Sequence, residues 1–189
     1  MSNSGVLYHK YRSQSLDKLK GQDQVVLPLR ASLEHNNLAH SILLTGPRGT
    51  GKTSTARIIA KELNSLSADV DISEYIDIIE IDAASNRGIE EIRELKQRIL
   101  SKPLTLENKV YIIDEVHMLS KEAFNALLKT LEEPPSNVYL ILATTDVEKL
   151  PETILSRVVR YDFNLVSQKD IAKHLLEIAE NEKFDFDVE

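Results

Sequence analysis

The segment Ser41-Ile-Leu-Leu-Thr-Gly46-Pro-Arg-Gly-Thr-Gly51-Lys52-Thr53 decides the fold of this 189-residue chain. Its first five residues are a short run rich in Ile and Leu, and the remainder fits the phosphate-loop pattern G-x-x-x-x-G-K-[ST]. Glycines let backbone N–H groups curve around phosphate oxygens, and a following helix adds partial positive charge at its N-terminus. The segment therefore predicts a strand, a phosphate-binding loop and a helix, in that order.

The loop predicts binding of ATP together with Mg²⁺. Lys52 supplies a compact cation to the β- and γ-phosphates, and the Thr53 hydroxyl is a predicted Mg²⁺ ligand. The alternative is a glycine-rich turn that only resembles the motif, and the flanking strand and helix argue against it. The loop residues assigned to nucleotide binding are Gly46, Pro47, Arg48, Gly49, Thr50, Gly51, Lys52, Thr53 and Ser54.

Further apolar runs and helical patterns alternate along the chain. Four more runs are predicted as strands, at residues 76–81, 110–114, 138–143 and 158–163. Helical spacing of apolar residues occurs at 52–63, 89–100, 121–132 and 168–180. Most of the strand runs are nearly continuous, which is typical of strands covered on both faces. The alternation predicts a parallel, doubly wound α/β sheet, with Ser120 as the N-cap of the third helix.

An acidic pair ends the predicted strand Val110-Tyr-Ile-Ile-Asp114-Glu115. Asp114 is a second candidate Mg²⁺ ligand, and Glu115 is placed to accept a proton from the attacking water or to orient it. Taken alone, the pair could be a solvated acidic turn, but the phosphate loop upstream favours hydrolytic chemistry. The next predicted strand ends in Thr144 and Thr145, whose hydroxyls could contact the γ-phosphate or cap a turn.

Composition excludes several classes of protein. The chain has no cysteine, so disulfides, thiolate metal sites and thiol catalysis are excluded. Its net charge is -7, so contact with nucleic acid would need a local basic patch. The apolar run at 138–143 is too short to cross a bilayer, and the first residues lack the pattern of a secretion signal. A cytoplasmic location is therefore expected, with no membrane partner.

The motifs resemble those of the clamp-loader ATPases of the AAA+ superfamily, and among these the gamma/tau subunit family of bacterial DNA polymerase III. Matching segments lie at 7–12, 21–22, 46–54, 82–85, 110–118, 124–135 and 142–157. The most specific are Asp114-Glu-Val-His117 and Asn125-Ala-Leu-Leu-Lys-Thr-Leu-Glu-Glu-Pro-Pro135. The resemblance implies an AAA+ base domain at 1–165, with sheet order 5-1-4-3-2, and the beginning of a helical lid domain at 166–189.

The resemblance also implies roles for residues outside the loop. It identifies Thr145, rather than Thr144, as the sensor threonine. It places the adenine near Tyr11, Arg12, Gln22 and a turn at 21–25. Arg157, in Leu155-Ser156-Arg157, matches an arginine that acts in trans at a neighbouring subunit's ATP site, although from the residues alone it would be an ordinary surface arginine. In other NTPases such an arginine finger contributes about 10³–10⁵ in rate.

The partners that the resemblance implies are those of a clamp loader. They are other loader subunits (copies of this chain and the delta and delta-prime types), a sliding clamp, primer-template DNA and the polymerase core. Arg93, with Arg87 assisting, is predicted to contact DNA phosphates, against the alternative of a solvated charged helix. Two other functions stay open: a non-catalytic loader scaffold, and another AAA+ DNA-processing ATPase.

The chain also departs from the family pattern. The segment 64–75 is short where the family carries a four-cysteine zinc module, so no structural zinc is expected. Val158 stands where the family has cysteine, and Ser13 where it has proline. The lid segment with a second sensor arginine would follow residue 189. The chain is therefore expected to be an N-terminal fragment that turns over little ATP by itself.

Overall fold

A computed structural model describes residues 7–85, 98–99 and 101–184 of the chain. Five strands form one parallel sheet: β1 Ser41–Thr45, β2 Ile78–Asp82, β3 Lys109–Asp114, β4 Val138–Thr144 and β5 Val159–Asp162. Their spatial order is β2-β3-β4-β1-β5, which is the predicted order counted from the opposite edge. The predicted fold class and strand order are therefore confirmed, and strand bounds differ from the prediction by two residues at most.

The α-helices of the described ranges lie before, between and after the strands. They are α1 Leu7–Lys10, α2 Asp23–Glu34, α3 Lys52–Glu62, α4 Lys121–Glu132, α5 Glu152–Leu155 and α6 Gln168–Glu182. Most of the predicted helix at 89–100 falls outside the described residues. Within these ranges, no helix combines the length and the apolar composition that a membrane span needs.

Helix α4 shows why the prediction succeeded where caps and periodicity agree. The Ser120 side chain accepts a hydrogen bond from the Ala123 backbone N–H at 3.2 Å, as an N-cap should. Leu127 and Leu131 lie on the buried face, and Pro134 follows soon after the helix ends. The predicted bounds 121–132 are those observed.

Helix α2 has no counterpart among the sequence predictions. Pro28 lies inside it and removes a backbone donor, which ordinarily argues against a helix interior. Burial of Val25, Val26 and Leu29 against the sheet outweighs that loss. Because the helix begins at Asp23, the turn expected at 21–25 is shorter than predicted.

The sheet has an apolar layer on each face. In β1, Leu44 packs into the cluster with α2 and α3, and its neighbour Leu43 packs into the cluster with α4 and α5. All five residues of β1 are buried, which explains why this run is continuous rather than alternating. The strands end in register, with Thr45 beside Thr144 and Asp82 beside Asp114. Polar groups therefore gather at the carboxyl edge of the sheet.

Asp77, just before β2, is fully buried and ties the loop at 104–106 to the sheet. Its carboxylate accepts hydrogen bonds from the backbone N–H groups of Leu104 (2.9 Å), Thr105 (2.7 Å) and Leu106 (3.0 Å). The Thr105 hydroxyl adds another at 2.9 Å. Burial by itself raises the pKa of Asp77, but these hydrogen bonds outweigh it and hold the pKa below the ordinary 3.8.

The substitution Asp77→Asn should lower the free energy of unfolding by about 2–4 kcal/mol, because an amide cannot satisfy this many inward donors. Because the folded pKa is depressed, the stabilisation by Asp77 is fully present above pH 3.8 and is lost as pH falls through the folded pKa. Urea unfolding at neutral and acidic pH measures both effects, and the gap between variant and wild type should narrow in acid. The exposed Glu74→Gln is the control; an equal loss there would contradict this role of Asp77.

Candidate functional site

A cleft of about 770 Å³ lies at the carboxyl edge of the sheet, over the predicted phosphate loop. It is lined by Arg12, Pro47, Arg48, Gly49, Gly51, Lys52, Thr53, Ser54, Asp82, Ala84, Asp114, Glu115 and Thr145. Apart from Arg12, which comes from the N-terminal segment, these residues come from the loop, from the start of α3 and from the ends of three strands. The N-terminus of α3, an 11-residue helix, opens into the cleft, so its partial positive charge favours an anion there.

The loop owes its shape to two of its glycines. Gly51 has φ 104°, a left-handed conformation that side chains rarely adopt, and it is the N-cap of α3. A Cβ at Gly46 would collide with the carbonyl oxygen and Cβ of Phe163, just beyond β5. Because it has no side chain, Gly46 lets the loop approach Phe163 closely. The Thr50 hydroxyl braces the loop by donating to the Pro47 carbonyl at 2.9 Å.

The Lys52 side chain is buried under the loop, with 5% of its surface exposed. Its Nζ donates to the carbonyl oxygens of Gly46 and Pro47, both at 2.8 Å. Burial lowers the pKa of Lys52, and the carboxylates of Glu115 and Asp114 partly offset that effect. A cation held only by neutral carbonyls can exchange them for phosphate oxygens, which form stronger charge-assisted bonds.

Two hard oxygen ligands meet at the floor of the cleft. The Thr53 hydroxyl on α3 donates to Asp114 Oδ2 at the end of β3, at 2.6 Å. The other carboxylate oxygen, Oδ1, accepts the Glu115 backbone N–H at 2.9 Å. Mg²⁺ is ordinarily bound by one or two such protein oxygens together with waters and substrate phosphates. The hydroxyl and carboxylate therefore fit the predicted Mg²⁺–nucleotide site.

Glu115 stands at a strained backbone position directly after β3. Its φ is 47°, a left-handed conformation that costs a residue other than glycine about 1–2 kcal/mol. Its Oε2 accepts the Thr145 hydroxyl at 2.9 Å and the Thr145 backbone N–H at 3.2 Å. Glu115 and Thr145, predicted separately from two strand ends, are thus in direct contact at the rim of the cleft.

Thr144 and Thr145 occupy different environments. Thr144 is fully buried, and its hydroxyl oxygen lies 2.8 Å from His117 Nδ1 and accepts the Asp146 N–H at 3.0 Å. Thr145 lines the cleft. This arrangement favours Thr145 over Thr144 for contact with a γ-phosphate, as the family resemblance implies.

Not every residue predicted on the adenine side lines the cleft. Arg12 does so. The Tyr11 hydroxyl instead donates to Glu182 Oε1 on α6, at 2.6 Å. Gln22 is fully buried, and its amide bonds both the N–H and the carbonyl of Asn164, at 3.1 and 2.7 Å. Tyr11 and Gln22 therefore connect the N-terminal segment to the segment 164–182.

The cleft includes one acidic residue that the sequence predictions missed. Asp82 ends β2 opposite Asp114 in register, and its carboxylate also accepts the Ala84 N–H at 2.8 Å and the Ser85 hydroxyl at 2.9 Å. The signal was present in principle, because Asp82 follows an apolar strand in the way that Asp114 does.

Arg157 lies apart from the described residues that line the cleft. It follows α5, and its guanidinium is bound to Glu132 at the end of α4. The predicted DNA-contacting residues Arg87 and Arg93 lie outside the part of the chain that the structure describes.

Comparison with protein families matches residues 21–167 to the family described as DNA polymerase III, delta subunit. DNA polymerase III subunit gamma of Buchnera aphidicola subsp. Schizaphis graminum is 44% identical over an alignment of 200 residues, gaps included. The alignment covers 99% of this chain and 55% of that protein. DNA polymerase III subunit tau of Bacillus subtilis is 44% identical over 190 residues, covering 94% of this chain and 34% of that protein. The chain thus spans about half of the first relative and about a third of the second.

Solved structures share the fold. A DNA polymerase III gamma subunit-related protein of Thermotoga maritima superposes with a TM-score of 0.62 at 24% identity, over 80% of this chain and 53% of that one. The Holliday junction branch migration motor RuvB of Thermotoga maritima gives a TM-score of 0.72 at 23% identity, over 94% of this chain and 56% of that one. At such identities the likeness establishes a common fold and does not extend to function.

Proposed function

The chain belongs to the DNA polymerase III, delta subunit family and has gamma and tau subunits among its relatives, and on this premise we propose that it is an ATP-binding and ATP-hydrolysing clamp-loader subunit. The observation that carries the proposal is the convergence of Lys52, Thr53 and Asp114 in one cleft, with Glu115 and Thr145 in contact at its rim. ATP binding would order the subunits around a sliding clamp, and hydrolysis would release the clamp on primer-template DNA.

Each residue has a task that follows from its position. The loop N–H groups and Lys52 bind the β- and γ-phosphates, while Thr53 and Asp114 hold Mg²⁺, which when bound neutralises charge on the transferring phosphoryl group. Glu115 orients a water molecule and accepts its proton, and Thr145 fixes the Glu115 carboxylate and contacts the γ-phosphate. Arg12 lines the same cleft, and we assign it to the adenine side.

In this proposal, residues of two adjacent subunits form each ATP site. Arg157, which is not among the described residues that line its own cleft, acts on the nucleotide of an adjacent subunit. The base domain spans 1–165 and the lid domain begins at 166–189. The contacts of Tyr11 with Glu182 (2.6 Å) and of Lys20 with Glu177 (3.2 Å) support coupling between the base and the first lid helix.

The proposed partners are further copies of this chain, delta- and delta-prime-type subunits, the sliding clamp, primer-template DNA and the polymerase core. Arg93 and Arg87 contact DNA phosphates in this assembly, and the complex acts in the bacterial cytoplasm. The test is ATP turnover by the full-length protein with and without clamp, primer-template DNA and the other loader subunits. Turnover that does not respond to clamp and DNA would contradict the loader function, and no turnover at this chain's site would favour the scaffold alternative.

The substitution Lys52→Ala should weaken ATP binding about 100-fold or more, because it removes charge-assisted bonds to two phosphates. Titration calorimetry with Mg²⁺-ATP measures the affinity. The matched control is Lys61→Ala, on the last turn of the same helix, where the ammonium donates to the Ala68 carbonyl and does not line the cleft. Affinity of the Lys52 variant equal to that of wild type would refute the assignment of the cleft.

A further inference from the structure

The guanidinium of Arg157 is held by residues of its own subunit. Its Nε donates to Glu132 Oε1 at 2.8 Å, and Nη2 donates to the same oxygen. Its Nη1 donates to the Thr153 carbonyl at 2.7 Å and to the Ser156 hydroxyl at 3.1 Å. All three nitrogens are therefore used, and the charge is paired with a carboxylate.

The position of Glu132 is not explained by the stability of its helix. Glu132 is the last residue of α4, and Glu133 follows it as the C-cap. Negative charge at a helix C-terminus is unfavourable, because it faces the negative end of the helix dipole. The contact with Arg157 gives a reason for a carboxylate at this place.

The two elements that carry the pair are rigidly placed. Leu131, beside Glu132, and Ile154, in α5, are buried in the same apolar cluster. Both charges therefore extend from packed backbone, and their meeting does not depend on a long loop.

The pairing limits what Arg157 can do elsewhere. An arginine finger acts through its positive charge and its free N–H groups, and a carboxylate within hydrogen-bond distance cancels much of that charge. The pair is also weak enough to exchange, since the two side chains are 30% and 48% exposed. A polyphosphate offers more negative charge than one carboxylate and can accept two parallel hydrogen bonds from a guanidinium.

We propose that Glu132 is a positioning residue for Arg157. The Glu132 carboxylate holds the Arg157 guanidinium within the same subunit until the phosphates of a nucleotide bound to an adjacent subunit replace it. This inference rests on the trans role of Arg157 in the proposed function. Glu132 thereby reduces the fraction of subunits whose arginine is ready to act, and removing the carboxylate raises that fraction.

The experiment uses complete loader assemblies of full-length subunits with clamp and primer-template DNA. The subunit that donates the arginine also carries Glu115→Gln, so that only its neighbour's site reports. Adding Glu132→Gln to the donor should raise ATP turnover at the neighbouring site about 2- to 5-fold, the range expected for breaking an exposed ion pair. Glu132→Asp keeps a carboxylate and should stay near the wild-type rate.

Two controls make the result specific. Glu133→Gln removes the same charge one residue later, from a side chain that forms no ion pair with Arg157 in the described part of the chain, and should leave turnover unchanged. In an Arg157→Ala donor, Glu132→Gln should have no further effect, because Glu132 acts only through that arginine. Unchanged or reduced turnover in the Glu132→Gln donor would overturn the inference. A donor Arg157→Ala that leaves the neighbour at full activity would overturn the trans role itself.

Discussion

The substitution Glu115→Gln is expected to abolish most ATP turnover in the assembled loader, lowering it about 10²–10⁴-fold, while leaving ATP affinity nearly unchanged. Glutamine keeps the shape of the side chain, and its carbonyl oxygen can still accept the N–H and hydroxyl of Thr145. It cannot take a proton from water. The loss of activity is therefore expected in the chemical step alone. The cleft and the hydrogen bond between Thr53 and Asp114 should be preserved.

Binding and turnover have to be measured separately to test this. Equilibrium titration with Mg²⁺-ATP gives the affinity, and a single-turnover experiment in the complete assembly gives the rate of hydrolysis. Glu148→Gln is the matched control, because Glu148 is an exposed glutamate shortly after Thr145. Unchanged hydrolysis in the Glu115 variant would remove Glu115 from its role. A large loss of affinity would instead mean that the carboxylate helps to build the cleft.

The fold could be predicted from the sequence to the level of strand order, with help from the family resemblance. β1, β3 and β4 are buried on both faces and read as continuous apolar runs, which leave little ambiguity in type or position. The phosphate loop and Asp114 could be predicted because each occupies a fixed place relative to a strand end, whereas the choice of Thr145 over Thr144 rested on the family resemblance. Helix α2 was not found, because Pro28 contradicts local propensity and only tertiary burial compensates for it.

What the sequence could not supply is the identity of side-chain partners that are distant along the chain. Gln22 bonds Asn164, 142 residues away, and Asp77 bonds a loop almost thirty residues later. Nothing in local periodicity marks such pairs, since they depend on how whole elements pack. The same holds for Arg157: its residue type fits a motif, but its contact with Glu132 follows only from the packing of α4 and α5.

The substitution Arg157→Ala is expected to leave the variant's own ATP affinity intact and to lower hydrolysis at the adjacent subunit about 10³-fold or more. The reason is positional: Arg157 lies apart from the described lining of its own cleft, so its removal should not alter Lys52, Thr53 or Asp114. At the neighbouring site its charge would stabilise the transferring phosphoryl group, and alanine supplies neither charge nor donor.

Mixed assemblies locate the effect. Two assemblies are made, and each contains one subunit with Arg157→Ala. In the first, Glu115→Gln inactivates every ATP site except that of the variant subunit itself. In the second, it inactivates every site except that of the neighbour. Only the assembly that reports the neighbour should lose turnover. Arg160→Ala is the control, because this exposed arginine pairs with Asp162 on β5 and is close in sequence without occupying the motif. Full activity at the neighbouring site would contradict action in trans. Loss of turnover at the variant's own site would show that the arginine acts in cis. The two measurements therefore determine which subunit supplies the arginine to each ATP site.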